Sequence, residues 1–94
     1  MEMNINWFQE TIAPFLKEYE LSYSFFENGD FGDLNRVEFE GKGKGGNIDF
    51  WEKNWMEIHL YDYQDDIELM HILLEPNQYE EKKEAIDQFK SFVI

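Results

Sequence analysis

Hydrophobic residues near both ends of the chain recur at three- and four-residue steps, the spacing of a helix with one buried face. Residues 5–20 carry the first such stripe and residues 78–93 the second. Pro14 lies inside the first stripe and removes one backbone hydrogen bond. We therefore expect the first helix to kink or restart near Ala13.

The second helical segment follows Pro76, which ends the preceding segment. Asn77 is predicted to cap the helix, with Glu80 as its capping-box partner. The charged residues 80–84 are expected to face water. The predicted inward stripe consists of Tyr79, Ile86, Phe89 and Val93.

Between the two helical segments the hydrophobic period changes to two, which predicts β-strands. The predicted strands are residues 21–25, 36–40, 48–52, 55–63 and 67–75. Their connections are too short for helical crossovers, so the sheet should be antiparallel. The fifth strand is apolar enough to be central. The sequence thus predicts one α+β domain over residues 1–94, in the order α-β-β-β-β-β-α, with both helices on one sheet face and the other face open.

Two glycine-containing segments resemble ligand-binding loops, but their sequences lack the residues that such loops need. Residues 41–46 read GKGKGG, but a phosphate loop needs a following helix and a Ser or Thr after the Lys. Here Asn47 and a strand follow, so we expect a hairpin turn. Residues 28–35 lack the alternating carboxylates of a calcium loop and are predicted to form an acidic turn.

The composition indicates a folded acidic protein. Its 94 residues include 21 Asp and Glu against 8 Lys and Arg, a formal net charge of -13. Aromatic residues make up 18%, too many for a disordered acidic tail, and cysteine is absent. We see no signal-peptide pattern and no apolar run of membrane-spanning length, so a cytoplasmic location is expected. The charge disfavours nucleic acid and anionic membrane as direct partners and favours a basic protein.

The charge can direct binding only where it is concentrated. Spread evenly over the roughly 5,800 Å² expected of a globule this size, excess charges would lie about 21 Å apart. That spacing exceeds the Debye length of about 8 Å in the cell, and the charge would then serve only solubility. Along the chain, acidic residues do group, at 18–20, at 27–33 and at 62–68.

The only two histidines, His59 and His71, lie on the fourth and fifth predicted strands. A three-residue loop at 64–66 would place them directly opposite each other, whereas a two-residue loop would pair residue 59 with residue 70. The two histidines and the nearby Glu57 could bind zinc, but the spacing in the sequence does not reliably place a third ligand beside the histidines. We therefore expect no metal, no other cofactor and no catalytic residues, since nucleophile motifs are also absent.

The most suggestive segment for binding is the predicted hairpin tip between the fourth and fifth strands. It combines aromatic rings with carboxylates, a mixture that recognises Lys and Arg by charge pairing and cation–π contact. An open aromatic face would equally suit homodimerisation. The predicted partner-binding residues are Tyr61, Asp62, Tyr63, Asp65, Asp66 and Glu68, with Asp30 and Asp33 as a second contact and Trp55 as an aromatic anchor.

A resemblance to one class of proteins lies in residues 30–34, in the block 47–63, and in the size, charge and element order of the chain. In these features the chain resembles the immunity proteins of bacterial toxin systems, such as those against contact-dependent inhibition toxins. The resemblance implies a cytoplasmic protein that caps the active site of a basic toxin, often a nuclease. It carries over no functional residue. The alternative is an acidic DNA mimic or adaptor that binds a host nucleic-acid enzyme, and a third reading, a small metal-dependent enzyme, rests on His59 and His71.

Overall fold

A computed structural model describes residues 2–94 of the chain. It confirms the α+β class and the predicted order of helices and strands. The elements are α1 (Ile5–Thr11), a 3-10 turn (Ala13–Phe15), β1 (Glu20–Gly29), β2 (Gly32–Gly41), β3 (Lys44–Trp51), β4 (Met56–Asp62), β5 (Ile67–Leu74) and α2 (Tyr79–Val93).

The five strands form one antiparallel sheet in the order β1-β2-β3-β4-β5. Each short turn pairs a strand with the next one along the chain, so β5 lies at an edge. The prediction that the fifth strand is central is therefore wrong. Its apolar composition is instead spread over two environments: Leu74 is buried beneath α2, while Ile67 and Leu73 remain 50% and 45% exposed.

One face of the sheet carries the core. Val37, Ile48 and Ile58 are cross-strand neighbours in one row, and each is fully buried. The helices pack over them through aromatic contacts. The ring of Phe89 in α2 lies 5.2 Å from that of Phe39, and Phe8 in α1 lies 6.2 Å from Phe50. Both helices therefore cover the same face, as the sequence predicted.

The helix ends agree only in part with the sequence prediction. α1 stops at Thr11 and the chain restarts as a 3-10 turn containing Pro14, so the predicted interruption is confirmed. The prediction that the helix continues to residue 20 is wrong, because the 3-10 turn ends at Phe15 and β1 begins at Glu20. The predicted cap of α2 is wrong, because the N-cap is Gln78 rather than Asn77 and makes no side-chain capping bond. The Gln78 side chain instead accepts a 2.7 Å hydrogen bond from the Glu75 N–H, across the turn at Pro76.

The buried stripe of α2 begins one turn later than predicted. Ile86, Phe89 and Val93 are buried, but Tyr79 is 65% exposed. Lys82, expected to face water, is only 6% exposed, since it lies seven residues before Phe89 and shares its helix face. Its ammonium donates a 2.6 Å hydrogen bond to the Asn54 carbonyl in the β3–β4 turn. Within residues 2–94, neither helix has the length and apolar character needed to cross a membrane.

Candidate functional site

The sheet face turned away from the helices, which we call the open face, is predominantly polar. Side chains along a strand alternate between the two faces, so the residues on either side of each buried core residue point to the open face. Ser22, Glu38, Asn47, His59 and His71 form one cross-strand row of this face. The adjoining row consists of Glu20, Glu40, Gly45, Tyr61 and Glu68.

A shallow groove of about 530 Å³ runs along this face, and we call it the acidic groove. One side is formed by Glu20, Glu38 and Glu40, and the other by His59, Tyr61 and Tyr63. No Lys or Arg of the described chain lines it. The groove is therefore a concave surface bordered by carboxylates on one side and by aromatic rings on the other.

The three glutamates of the groove are close enough for their fields to add. Glu20 on β1 lies directly opposite Glu40 on β2, which puts their Cβ atoms about 5 Å apart. Glu38 lies two residues from Glu40 on the same side of β2, about 7 Å away. Both separations are shorter than the Debye length of about 8 Å. The charge is thus concentrated here, as binding by electrostatic attraction requires.

Two tyrosines from the β4–β5 hairpin form the aromatic side of the groove. The rings of Tyr61 and Tyr63 lie 5.4 Å apart, tilted by 51°. The Tyr61 hydroxyl donates a hydrogen bond to Asp66, and this bond raises the pKa of the phenol. Tyr63 lies over Gly45, where a Cβ would come within 2.8 Å of its hydroxyl oxygen. Glycine at this position allows the ring to lie against β3.

The carboxylates of the hairpin tip mainly shape the turn. Asp62 accepts hydrogen bonds from the backbone N–H groups of Gln64 and Asp65, at 2.9 and 3.1 Å. Asp66 adopts a positive φ of 57° and accepts the Tyr61 hydroxyl. Asp65 is exposed at the turn. These hydrogen bonds hold the predicted partner-binding residues of the hairpin close together at its tip.

The other predicted contacts lie at the opposite end of the sheet. Trp55 precedes Tyr61 by six residues along an extended strand, a separation of about 20 Å. Its ring stacks on Phe31 at 4.0 Å, so one of its faces is already covered. Asp33 on β2 accepts a 3.0 Å hydrogen bond from the Asn28 N–H of β1, and Asp30 lies in the turn between these strands, which is shorter than the predicted turn over residues 28–35. The structure does not bring Asp30, Asp33 or Trp55 to the groove.

The sequence prediction missed the three groove glutamates as site residues. The alternation of Glu38 and Glu40 with Val37 and Phe39 already placed both on the polar side of β2. That Glu20 lies opposite Glu40 depends on the register of the β1–β2 hairpin, which irregular pairing between Phe26 and Gly29 makes hard to predict.

An ion pair between the half-exposed Arg36 and the buried Asp49 lies at the centre of the open face. The Arg36 guanidinium donates two hydrogen bonds to Asp49, Nε to Oδ1 at 2.8 Å and Nη2 to Oδ2 at 2.9 Å. The amide of Asn47 donates a third, to Oδ1 at 3.0 Å. Asp49 is fully buried, and its hydrogen bonds to Arg36 raise the pKa of the arginine. This pair lies between the acidic groove and the aromatic rings of Phe31, Trp51 and Trp55 at the other end of the sheet.

The two histidines are directly opposite each other, with ring centroids 4.8 Å apart and planes inclined by 28°. The intervening loop has four residues rather than three, and an irregularity between Leu60 and Tyr61 restores the pairing. Glu68, which sequence spacing did not suggest as a ligand, lies beside both rings. Its carboxylate is 3.0 Å from His71 Nδ1 and 3.9 Å from His59 Nε2.

Comparison with known proteins identifies no relative. No protein-family model, no curated protein sequence and no solved structure matches the chain. The geometry of the open face is therefore the basis for a functional proposal.

Proposed function

We propose that this protein binds and neutralises a basic protein partner through the acidic groove, and that the partner is a nuclease toxin for which the chain is the cytoplasmic immunity protein. The observation that carries the proposal is the set of three glutamates in which Glu40 lies about 5 Å from Glu20 and about 7 Å from Glu38, with no described Lys or Arg in the groove lining. Like charges directly opposite each other cost stability in a sheet, so this arrangement favours a cationic ligand.

The two sides of the groove would contribute differently to binding. The glutamates would attract a Lys or Arg of the partner and raise the association rate. Tyr61 and Tyr63 would hold the cation by cation–π contact, which weakly hydrated guanidinium favours. Because the exposed fraction of Tyr63 is 56%, its ring is available for this contact.

A nuclease is the partner class that suits this surface, because its active site binds the phosphates of nucleic acid. Carboxylates placed where phosphates would lie can occupy such a site. The resemblance to toxin-immunity proteins in size, charge and element order points to the same class.

The test is co-expression in bacteria of this chain with the C-terminal region of the protein encoded immediately upstream. We expect that region to be toxic alone, and the chain to restore growth and to co-purify with it. Toxicity without rescue, or no toxicity, would contradict the immunity role and favour a host nucleic-acid enzyme as the partner.

The contribution of the groove is tested with charge-matched variants of the chain. Replacing Glu38 and Glu40 by Gln should slow association about tenfold and reduce its salt dependence. Replacing Glu80 and Glu84 by Gln on the exposed side of α2 removes the same charge at a distant surface and should change association little. Equal effects of the two pairs would show that net charge, rather than the groove, attracts the partner.

A further inference from the structure

Three potential metal ligands converge on the open face beside the β4–β5 pairing. His59, Glu68 and His71 each offer one ligand atom, and these atoms all lie within 4.8 Å of one another. Four zinc ligands at about 2.0–2.1 Å in a tetrahedron are separated from each other by about 3.4 Å. The observed Glu68 contacts, 3.0 Å to His71 and 3.9 Å to His59, lie on either side of that value. The rings of His59 and His71 are stacked, so both side chains would have to rotate for their nitrogens and Glu68 to meet around one ion.

A β-bulge creates this convergence. Glu68 and His71 are three residues apart, so in a regular strand they would point to opposite faces of the sheet. The pairing changes from Leu60 with Met70 to Tyr61 with Glu68, which leaves Leu69 as the extra residue. The bulge turns Glu68 onto the same face as the histidines. Bulges that redirect one side chain in this way are common beside functional sites.

The carboxylates on both sides of His71 give a second reason to expect a cation. Glu68 lies 3.0 Å from its Nδ1, and Glu57 Oε2 lies 3.2 Å from its Nε2. Two carboxylates beside one imidazole concentrate negative charge, and with Glu57 at Nε2 the Nδ1 atom and Glu68 are left to face a cation together. His59 faces the same carboxylate, so one metal ion would serve both rings.

We propose that the open face holds a zinc ion bound by His59 Nε2, His71 Nδ1 and the Glu68 carboxylate, with the fourth position open to solvent. Two imidazoles and one carboxylate form a ligand set of zinc sites that keep an open position. Glu57 would hold the Nε2–H of His71 and so direct Nδ1 at the metal, the usual role of a carboxylate behind a metal-binding histidine. The three ligand side chains are 41–54% exposed, so the ion can enter from solvent. His59 also lines the acidic groove, so the ion would lie at the edge of the proposed partner surface, but zinc binding itself does not require the partner.

Zinc titration of the full chain tests the site, with a chromophoric zinc indicator as competitor and imidazole NMR resonances as a structural readout. We expect one zinc per chain, with the ring resonances of His59 and His71 shifting together. The single variants His59→Ala, His71→Ala and Glu68→Gln should each weaken zinc binding at least about tenfold, and Glu57→Gln about tenfold. Glu84→Gln on α2, which removes one carboxylate elsewhere, should leave the affinity unchanged. Magnesium should not compete, because it prefers oxygen ligands.

Three results would overturn the proposal. Unchanged affinity in both histidine variants would show that zinc is held by carboxylates alone. A greater loss in Glu38→Gln than in the histidine variants would place the ion among the glutamates on the other side of the acidic groove. No saturable uptake would show that the three side chains do not form a zinc site. Circular dichroism of each variant separates loss of the ligand from loss of the fold. None of these results depends on the toxin test, so the two proposals stand or fall separately.

Discussion

Replacing Arg36 by methionine should destabilise the protein by about 3 kcal/mol, because it leaves the Asp49 carboxylate buried without its charge partner. The Asp49 side chain is 1% exposed, and each of its two carboxylate oxygens accepts a hydrogen bond from Arg36. Breaking a buried pair from one side costs about 3–5 kcal/mol. The lower end applies here, since the Asn47 amide still donates to the carboxylate at 3.0 Å.

The two partners of this pair should not be equivalent. The Arg36 side chain is 36% exposed and can turn towards water when Asp49 is removed. We therefore expect Asp49→Leu to cost about 1–2 kcal/mol, less than Arg36→Met, even though both single changes break the same contact. The double variant, with both groups apolar, should approach the stability of the wild type.

Urea unfolding followed by the fluorescence of the three tryptophans measures these differences. With a urea m-value of about 1–1.5 kcal/mol per molar for a domain of this size, Arg36→Met should lower the midpoint by about 2–3 M. That is a large part of a typical total stability of about 5–15 kcal/mol. A loss below about 1 kcal/mol in Arg36→Met, or a larger loss in Asp49→Leu, would refute the reasoning.

Two further changes test the close approach of β3 to β4 and the burial of Lys82. Gly46→Ala should cost about 3 kcal/mol in urea unfolding, because its Cβ would collide with the backbone carbonyl of His59; a cost near zero would mean that β3 and β4 separate easily. Burial lowers the pKa of Lys82 below its ordinary 10.5, so the unfolded chain binds more protons in the window between the two values. The free energy of unfolding should therefore rise relative to Lys82→Met as the pH increases from 7 to 10; a constant difference between the two proteins would contradict this.

Most of the fold follows from local sequence patterns. The period-two alternation of β2 and the short turns between strands are sufficient for an antiparallel sheet with one apolar face. The position of β5 was mispredicted because a high content of apolar residues indicates burial but does not show which strands lie on either side of it. Its Leu74 packs under α2, whereas Leu73 points to the open face at the edge. The burial of Lys82 was missed because its charge masked an apolar stem of the kind that packs along a helix.

The candidate sites depend on register, which sequence spacing alone does not fix. A loop one residue longer than considered, compensated by the bulge at Leu69, still pairs His59 with His71. The same bulge brings Glu68 to them, and no periodic pattern marks it. The groove similarly needs Glu20 to meet Glu40 across a hairpin with an irregular end. Predicting either site therefore requires knowing which residues pair between strands, and not only where the strands lie in the sequence.

The sequential order of the five strands has a consequence for how the chain folds. Every strand pairs only with its neighbours in sequence, so each hairpin closes a short loop and the sheet can form quickly, without distant parts of the chain having to meet. The helices behave differently, because α2 packs on β4 and β5 only after all five strands have been synthesised. Until Phe89 and Val93 dock, the apolar face of a newly made sheet stays exposed. We therefore expect the chain to be most prone to aggregation before the last helix has docked.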